Sequence, residues 1–406
     1  MNKIILSAIA AITLGSVTAS AGSTTFYQDR NGQVFTTAAE GRTAINSQEA
    51  REVINSAKAP KKKTEASFFD RIHAKGDLRL RHEIIEKHEG TDNKNRERFR
   101  FRYGVNIDVT DNILLETAIS SGKYNPTSGN VSFRDDEKIQ DYFMETLKID
   151  IADIKYSFDN SWIRVGKAKH HIYRPIGTQL VWDNDIRLEG VNYGFKDNNT
   201  MIRLGVNRLH REKGHKGANA DNINIFIAQY VHTQKLENAK LNLGAAYYLY
   251  DGVKGSSTPY DSGRKGNTLD ANGLYAEDFG ILEAFAEMKF KDVLGKPFKV
   301  AAILAVNTLA NNDNIGYDLS AQYGVTKKVG DIKFAATYRD VEKDATFGAN
   351  NDSDFSGGGT DSTGYYVKTK YKFAKNVDIA GWWNWSKLGD TNREYNRTQL
   401  DVILKF

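Results

Sequence analysis

The sequence predicts an all-β fold, a transmembrane antiparallel β-barrel of about sixteen strands that follows a short N-terminal extension. Three observations lead to this prediction. Apolar and polar residues alternate through repeated segments that are long enough to cross a membrane as strands. Short polar connections alternate with long ones between these segments, and the last segment ends on an aromatic residue, Phe406.

The last segment, residues 396–406, shows the alternation most simply. Counting back by twos from Phe406 gives apolar residues as far as Leu400, and the residues between them are polar except for Ile403. Successive side chains of a strand point to opposite faces, so one face of this strand is apolar and the other is polar. A final strand that stops on Phe is typical of the closing strand of a bacterial outer-membrane barrel, and we expect Phe406 to be the signal that the barrel-assembly machinery reads.

The same pattern recurs upstream, most clearly over Arg96–Val109. A sheet with open edges would leave backbone groups unpaired in hydrocarbon, so strands of this kind must close into a barrel. An even number of strands would place both ends of the barrel on the periplasmic side. We count sixteen segments, which start near Lys75, Arg96, Ile113, Lys138, Trp162, Asp185, Thr200, Asn222, Lys240, Glu277, Phe298, Ile315, Asp331, Thr363, Val377 and Tyr395.

The N-terminal residues predict export from the cytoplasm. Lys3, an apolar run and the small residues Ala19 and Ala21 are typical of a secretory signal peptide over residues 1–21. The apolar run is shorter than the about 20 residues that a spanning helix needs. Residues 22–73 lack membrane-length alternation, so we expect a periplasmic extension there, a barrel over residues 74–406 and a location in the bacterial outer membrane.

Composition narrows the possible functions. The chain has no cysteine, which argues against a disulfide framework, a zinc–thiolate site and a cysteine nucleophile. Its 56 basic and 51 acidic residues give a net charge of +5, a balance too even to indicate a nucleic-acid partner. Mean hydropathy is −0.55, yet a barrel exposes only alternate residues to lipid, so this value does not contradict the membrane prediction.

Neither of the possible metal-binding patterns is convincing. His170 and His171 are adjacent, and adjacent residues of a strand point to opposite faces. Residues 350–361 are rich in oxygen-bearing side chains but lack the spacing of a calcium-binding loop, and we interpret them as a flexible surface loop. We therefore predict no metal and no cofactor.

Arginines supply the candidate functional residues. If the aromatic residues of Arg96–Val109 face lipid, the arginines between them must face the lumen, because charge on the lipid face costs about 2–4 kcal/mol near the bilayer midplane. A long connection near residues 168–185 follows a strand that carries Arg164, and its two aspartates would oppose the arginines across the narrowest point. The predicted pore-lining residues are Arg79, Arg81, Arg98, Arg100, Arg102, Arg164, Arg174, Asp183 and Asp185. Alternatively, the arginines pair with lumen carboxylates such as Glu83, Glu116 and Asp108 and do not define the narrowest point.

Several segments together resemble the bacterial putative-porin families of Gram-negative outer membranes, including those labelled OprD-like. These are the leader, the Gly32–Thr36 stretch, the segment from Gly166 to Val191 and the terminal Phe406. The connection near 168–185 is the third long loop, and it resembles the constriction loop of general porins, which folds into the barrel.

The resemblance implies passive diffusion of ions and small hydrophilic solutes through a water-filled lumen. It also implies contact with outer-membrane lipid and a homotrimer. The arginines predict a mild preference for anions. Two alternative functions stay open. The first is a substrate-specific channel or a surface adhesin in which loops 251–276 and 342–362 bind a partner. The second, less favoured, is an outer-membrane hydrolase. No nucleophile motif is recognisable, so we do not predict an enzyme.

Overall fold

The computed structural model describes residues 25–31, 33–50, 52, 68–87, 93–122, 126–133, 147–209, 223–259, 265–389 and 392–406. The chain divides into two compact units, Met1–Ser67 and Phe68–Phe406. The predicted signal peptide and the lysine-rich stretch near residues 61–63 lie outside the described residues.

The described part of the first unit is a small antiparallel sheet. Its strands are β1 (Phe26–Asp29), β2 (Val34–Phe35) and β3 (Arg42–Ile45), in the order β2-β1-β3. The side chain of Asp29 accepts hydrogen bonds from the backbone N–H of Asn31 and of Gln33, each at 2.9 Å. These bonds close the turn between β1 and β2.

The second unit is a closed antiparallel barrel of sixteen long strands and one two-residue strand. The strands are β4 (Ile72–Lys87), β5 (Lys94–Asp108), β6 (Ile113–Ser121), β7 (Val131–Ser132), β8 (Leu147–Phe158), β9 (Ser161–Lys169), β10 (Arg187–Lys196), β11 (Thr200–Arg208), β12 (Asn224–Lys235), β13 (Ala239–Asp251), β14 (Phe279–Val293), β15 (Lys296–Asn307), β16 (Ile315–Gly324), β17 (Ile332–Val341), β18 (Ser362–Ala374), β19 (Val377–Leu388) and β20 (Arg393–Lys405). The predicted sixteen-stranded barrel is confirmed.

The strand starts predicted from alternation agree with the structure to within a few residues, with one exception. The segment predicted to start near Lys138 corresponds to β8, which starts at Leu147, and residues 134–146 lie outside the described residues. β8 contains one extra residue, Asp150, because Ile119 of β6 lies opposite Ile149 and Ala118 lies opposite Ile151. An extra residue in one strand reverses which face the following side chains occupy.

The barrel closes between its last and first strands. β20 pairs antiparallel with β4 from Tyr395 opposite Lys87 to Lys405 opposite Asp77. At the very end, the N–H of Gly76 donates to the carbonyl of Phe406 at 2.7 Å, and the N–H of Phe406 donates to the carbonyl of Gly76 at 3.1 Å. A Cβ atom on Gly76 would lie 2.5 Å from the Phe406 ring, so this close approach requires glycine.

The outer face of the barrel is apolar. Leu400, Val402 and Phe406 are 50%, 42% and 57% exposed, which places the predicted apolar face of the closing strand on the outside. No helix within the described ranges is both long enough and apolar enough to cross a membrane. Trp382 is an aromatic residue of the inner face, because it is 6% exposed and lies opposite Lys368 and Gln399.

Part of the inner face is apolar as well, and the connection between β9 and β10 covers it. In this connection, which we call the third loop (residues 170–186), Leu180, Val181 and Trp182 are at most 2% exposed. They belong to one hydrophobic cluster with inward residues of β12–β15 such as Ile227 and Ile281. Burial of each such side chain stabilises the fold by about 1.5–3 kcal/mol, so the packing holds the third loop inside the barrel.

The closing strand generates a first prediction. The ring of Phe406 stacks on that of Phe101, with centroids 6.4 Å apart, and both lie on the outer surface. Phe406→Asp places a charge there and removes the terminal aromatic residue, so we expect most of the protein to fail to assemble into a heat-modifiable, SDS-resistant barrel. Phe406→Tyr keeps the ring and is expected to assemble normally. Normal outer-membrane levels of the aspartate variant would contradict this role for Phe406.

Candidate functional site

Five arginines of β4 and β5 form a basic surface inside the barrel, which we call the arginine wall: Arg79, Arg81, Arg98, Arg100 and Arg102. Arg79 lies directly opposite Arg100 in the pairing of the two strands, and Arg81 lies opposite Arg98. Their side chains are 4–15% exposed, whereas Leu80 on the other face of β4 is 43% exposed. The alternation therefore places these arginines inside, as the sequence analysis predicted.

Carboxylates meet every arginine of the wall. Arg81 donates from Nε to Asp401 at 2.7 Å, and Arg79 lies 3.8 Å from the same carboxylate. Arg100 meets Asp77 at 2.6 Å. Arg98 lies 3.6 Å from Glu83, and Arg102 meets Asp185 at 2.8 Å. Like charges directly opposite in a sheet repel, and these carboxylates offset the repulsion.

The two aspartates of the third loop have different roles. Asp185 reaches the arginine wall through its contact with Arg102. Asp183 does not, because its carboxylate accepts hydrogen bonds from the N–H of Asp185 at 2.7 Å and of Ser353 at 2.9 Å. The structure thus places only Asp185 against the arginine wall, and Asp183 joins the third loop to residues 342–361.

The two remaining predicted arginines also have local partners. Arg174 donates to the carbonyls of Trp182 at 2.8 Å and Thr178 at 3.2 Å, so it fixes the conformation of the third loop. Arg164, on β9, forms ion pairs with Glu116 and Asp153. Neither contacts the arginine wall. Arg174 therefore holds the third loop together, and Arg164 joins β9 to β6 and β8.

The adjacent histidines have separate contacts. His170 Nε2 lies 3.0 Å from the carbonyl oxygen of Asp183, and the ring of His171 packs against that of Trp162 with centroids 5.0 Å apart. The two rings therefore do not share a site.

The connection between β17 and β18, which we call the seventh loop (residues 342–361), is the second structure inside the barrel. Asn350, Asp352 and Phe355 are at most 1% exposed. The interpretation of residues 350–361 as a flexible surface loop is therefore wrong. The loop binds the third loop through the N–H of Asp183, which donates to the carbonyl of Asn350 at 2.8 Å, and the N–H of Asp352, which donates to the carbonyl of Gln179 at 3.1 Å.

Asp354 of the seventh loop is a carboxylate at the arginine wall that sequence reasoning missed. It lies 2.8 Å from Arg397 and 3.7 Å from Arg81, and it accepts a hydrogen bond from Gln399 at 3.2 Å. Arg397 and Gln399 lie on the polar face of the closing strand, which the sequence pattern does identify. Nothing local to the seventh loop signals that Asp354 meets them.

A buried ion pair anchors the seventh loop. Arg339 of β17 is 1% exposed and donates from Nε and Nη2 to the two carboxylate oxygens of Asp318 on β16, both at 2.8 Å. Its Nη1 donates to Asp352 at 3.2 Å, and its guanidinium lies 5.1 Å from the ring centre of Phe355. Thr178 of the third loop donates to Asp318 as well. The Arg339–Asp318 pair therefore holds both loops against the same part of the barrel wall. Arg339 binds the seventh loop, and Asp318 binds the third loop.

The loop carboxylates at the arginine wall remain ionised under acidic conditions. Burial alone would raise the pKa of Asp185 and of Asp354. The guanidinium groups of Arg102 and Arg100 outweigh burial at Asp185, and those of Arg397 and Arg81 do so at Asp354, so both pKa values lie well below the usual range. The pKa of Asp183 is raised instead, by burial and by the nearby Asp185 and Asp352.

Comparison with known protein families shows to which family the chain belongs. A family model described as "Putative porin" matches residues 81–279 and 283–406. The chain belongs to this putative-porin family. The match covers nearly all of the barrel, and the OprD-like label given by the sequence stays a prediction. No curated protein matches the sequence.

One of the similar solved structures has a TM-score above 0.5 and shares the fold. The Pseudomonas putida porin OprB, in a structure determined at high pH, superposes with a TM-score of 0.55 at 12% identity, covering 84% of this chain and 95% of that chain. Salmonella typhi OmpF in complex with daunomycin gives 0.49 at 12% identity, covering 82% and 97%. A triple mutant of Rhodopseudomonas blastica porin gives 0.48 at 13% identity, covering 82% and 100%.

The lowered pKa values generate a second prediction. Protonation of Asp185 and Asp354 would remove negative charge from the arginine wall and increase any preference for anions. Because both pKa values are lowered, these two carboxylates should contribute no change of the reversal potential in a KCl gradient from pH 7 down to about pH 4, the usual aspartate range, and should shift it toward chloride only below that pH.

Asp354→Asn is the matched variant for this measurement. It should already show the shifted potential at pH 7 and a smaller change on acidification. A midpoint at or above the usual aspartate pKa in the unmodified protein would contradict the prediction.

Proposed function

We propose that this protein is an outer-membrane porin, a non-enzymatic channel for passive diffusion of ions and small hydrophilic solutes. The observation that supports the proposal most directly is a closed sixteen-stranded barrel with an apolar outer face and charged side chains on its inner face. Membership of the putative-porin family agrees with it. A signal peptide, insertion by the barrel-assembly machinery, surrounding outer-membrane lipid and a homotrimer belong to the same proposal.

The narrowest part of the channel lies, in this proposal, where the third and seventh loops meet the arginine wall. Asp185 reaches the wall from the third loop and Asp354 from the seventh, so the loops extend across the lumen from different sides. Loops bound to each other by backbone hydrogen bonds form a rigid obstacle. The opening is therefore narrower than the strand number suggests.

Charge at this level favours anions mildly. The described basic residues are Arg79, Arg81, Arg96, Arg98, Arg100, Arg102 and Arg397, and the described acidic residues that pair with them are Asp77, Glu83, Asp185, Asp354 and Asp401. The excess of positive charge acts within a Debye length of about 8 Å at physiological salt. It raises the local anion concentration although the whole chain is close to neutral.

The structure favours a channel over the adhesin alternative. An adhesin would present loops 251–276 and 342–362 to a partner, but most of the seventh loop is buried inside the barrel. A substrate-specific channel differs from a general porin by having a saturable solute site, which is considered in the next subsection.

The arginine wall generates a third prediction. Replacing Arg98, Arg100 and Arg102 together by serine removes three positive charges and shortens three side chains. We expect the reversal potential in a KCl gradient to move toward potassium and the single-channel conductance to rise. The control is Lys235, Lys291 and Lys375 replaced by serine, which removes equal charge from exposed positions at strand ends and turns. An unchanged potential in the arginine variant would show that these residues do not limit ion flow.

The periplasmic location of residues 22–73 generates a fourth prediction. The first barrel strand starts at Ile72, and the described N-terminal sheet has its own backbone pairing. Deletion of residues 22–63 should therefore leave barrel assembly and single-channel conductance unchanged. Loss of the SDS-resistant barrel, or a changed conductance, would show that the extension is part of the channel.

A further inference from the structure

A second set of basic residues lines the inner face near the short turns, in β14, β15, β17 and β18. Lys289 of β14 lies directly opposite Lys299 of β15. Lys333 of β17 lies directly opposite Lys370 of β18. The inner face of β18 carries Tyr366, Lys368 and Lys370, and the inner face of β15 carries Lys299 and Ile303.

These lysine pairs differ from the arginine pairs because fewer carboxylates neutralise their charge. Two like charges that lie directly opposite each other destabilise a sheet. A fold that keeps such a pair either neutralises it with opposite charges or uses it for function. Every residue of the arginine wall meets a carboxylate. In contrast, within the described ranges Lys299, Lys333 and Lys368 have no carboxylate within the 4.0 Å of a salt bridge.

The carboxylates near these lysines are already shared. Asp378 of β19 accepts from Lys370, Lys372 and Lys405, each at 2.9 Å, so one negative charge serves three ammonium groups. Glu287 of β14 lies 3.2 Å from Lys289. Lys289 also donates to the hydroxyl of Tyr173 at 2.8 Å, so the third loop engages it.

Lys368 has aromatic neighbours in place of an acidic one. Its ammonium lies 4.6 Å from the ring centre of Tyr366 and 5.4 Å from that of Trp382. Aromatic faces attract a cation but leave its charge uncompensated for an anion that approaches from the lumen. The neighbouring inward positions Ala335 and Ala380 carry only methyl groups, which leaves space above the sheet beside the lysines.

One cross-strand row joins this region to the arginine wall. Lys333 lies opposite Lys370, Lys370 opposite Ala380, Ala380 opposite Asp401, and Asp401 opposite Arg81. The row therefore connects Arg81 to two lysines on the same wall of the lumen, Lys370, which shares Asp378 with two other lysines, and Lys333, which has no carboxylate within salt-bridge distance among the described residues.

We propose that Lys299, Lys333, Lys368 and Lys370 form a binding site for divalent oxyanions of the phosphate class, in the half of the lumen near the short turns. The inference rests on the proposed porin function and deepens it by naming a solute class. Rings and walls of lysine select anions and phosphate at close range. A dianion interacts with several ammonium groups at once and offsets the Lys333–Lys370 repulsion, whereas chloride carries half that charge and passes through.

The test is block of chloride current by inorganic phosphate in planar bilayers. The measurement is made at pH about 8, at which inorganic phosphate is mainly a dianion. Added phosphate should reduce the chloride current through the unmodified channel saturably. In the double variant Lys333→Gln, Lys370→Gln, the phosphate concentration for half-block should rise about tenfold or more.

The matched control is Lys155→Gln, Lys196→Gln. These two lysines lie near the short turns on β8 and β10, Lys155 opposite the inward Arg164 and Lys196 two residues after Gly194, which lies opposite Arg203. The control removes the same charge from another part of the barrel, so its half-block concentration should not change. Chloride conductance and heat-modifiable mobility establish that each variant is assembled.

The outcomes separate the two proposals. Absence of any chloride conductance from the assembled protein would overturn the porin function itself. Chloride conductance without saturable block by phosphate, or equal half-block concentrations in the two double variants, would overturn the lysine site and leave the porin function intact. Block by phosphate that weakens only in the Lys333/Lys370 variant supports the site.

Discussion

The pairing of backbone groups between β20 and β4 is the constraint on which the rest of the molecule depends. In hydrocarbon an unpaired N–H or C=O costs several kcal/mol, so a membrane sheet is stable only when its two edges meet. Here they meet down to the last residue, where Gly76 and Phe406 exchange two hydrogen bonds. Closure fixes which side chains face inward, and therefore determines the composition of the lumen.

Closure also encloses an inner face of which one part is apolar and another part is charged. The inner face of β12–β15 carries buried apolar side chains, among them Ile225, Tyr248 and Ile303. Exposed to a water-filled lumen, this surface would be unfavourable, and the third loop covers it with Leu180 and Trp182. The interior is thus divided into a part packed like a protein core and a part lined by charged residues. The packed part reduces the room left for solutes.

The sequence predicted what depends on alternation and missed what depends on distant contacts. The strand starts, the closing strand and the inward face of Arg98 follow from a period of two residues, which is local. The burial of Asp354 and Phe355 depends on how the seventh loop packs against β17 and β20, and no local pattern encodes that. The contacts of Trp382 are non-local for a related reason, because only the register of β19 with β18 and β20 places it beside Lys368 and Gln399.

The neighbours of a charged side chain in the lumen also depend on contacts between residues that are distant in the sequence. Lys333 and Lys370 lie 37 positions apart in the sequence, and only the register of β17 with β18 places them opposite each other. Alternation could identify each as inward. It could not show that they form a like-charge pair, nor that Lys370 shares Asp378 with two other lysines, Lys372 and Lys405.

Arginine and lysine therefore perform different tasks inside this barrel, for reasons of chemistry. A guanidinium presents a planar fork of donors that fits a carboxylate with two hydrogen bonds, and Arg339 uses that geometry on Asp318 to anchor both loops. Asp401 accepts two hydrogen bonds from Arg81 of the arginine wall in the same way, and Asp185 contacts Arg102 at 2.8 Å. An ammonium is a compact point charge that holds no such geometry, and Lys333 binds no carboxylate in the described structure. The guanidinium groups are held in fixed contacts with carboxylates, whereas Lys299, Lys333 and Lys368 have no carboxylate within salt-bridge distance among the described residues.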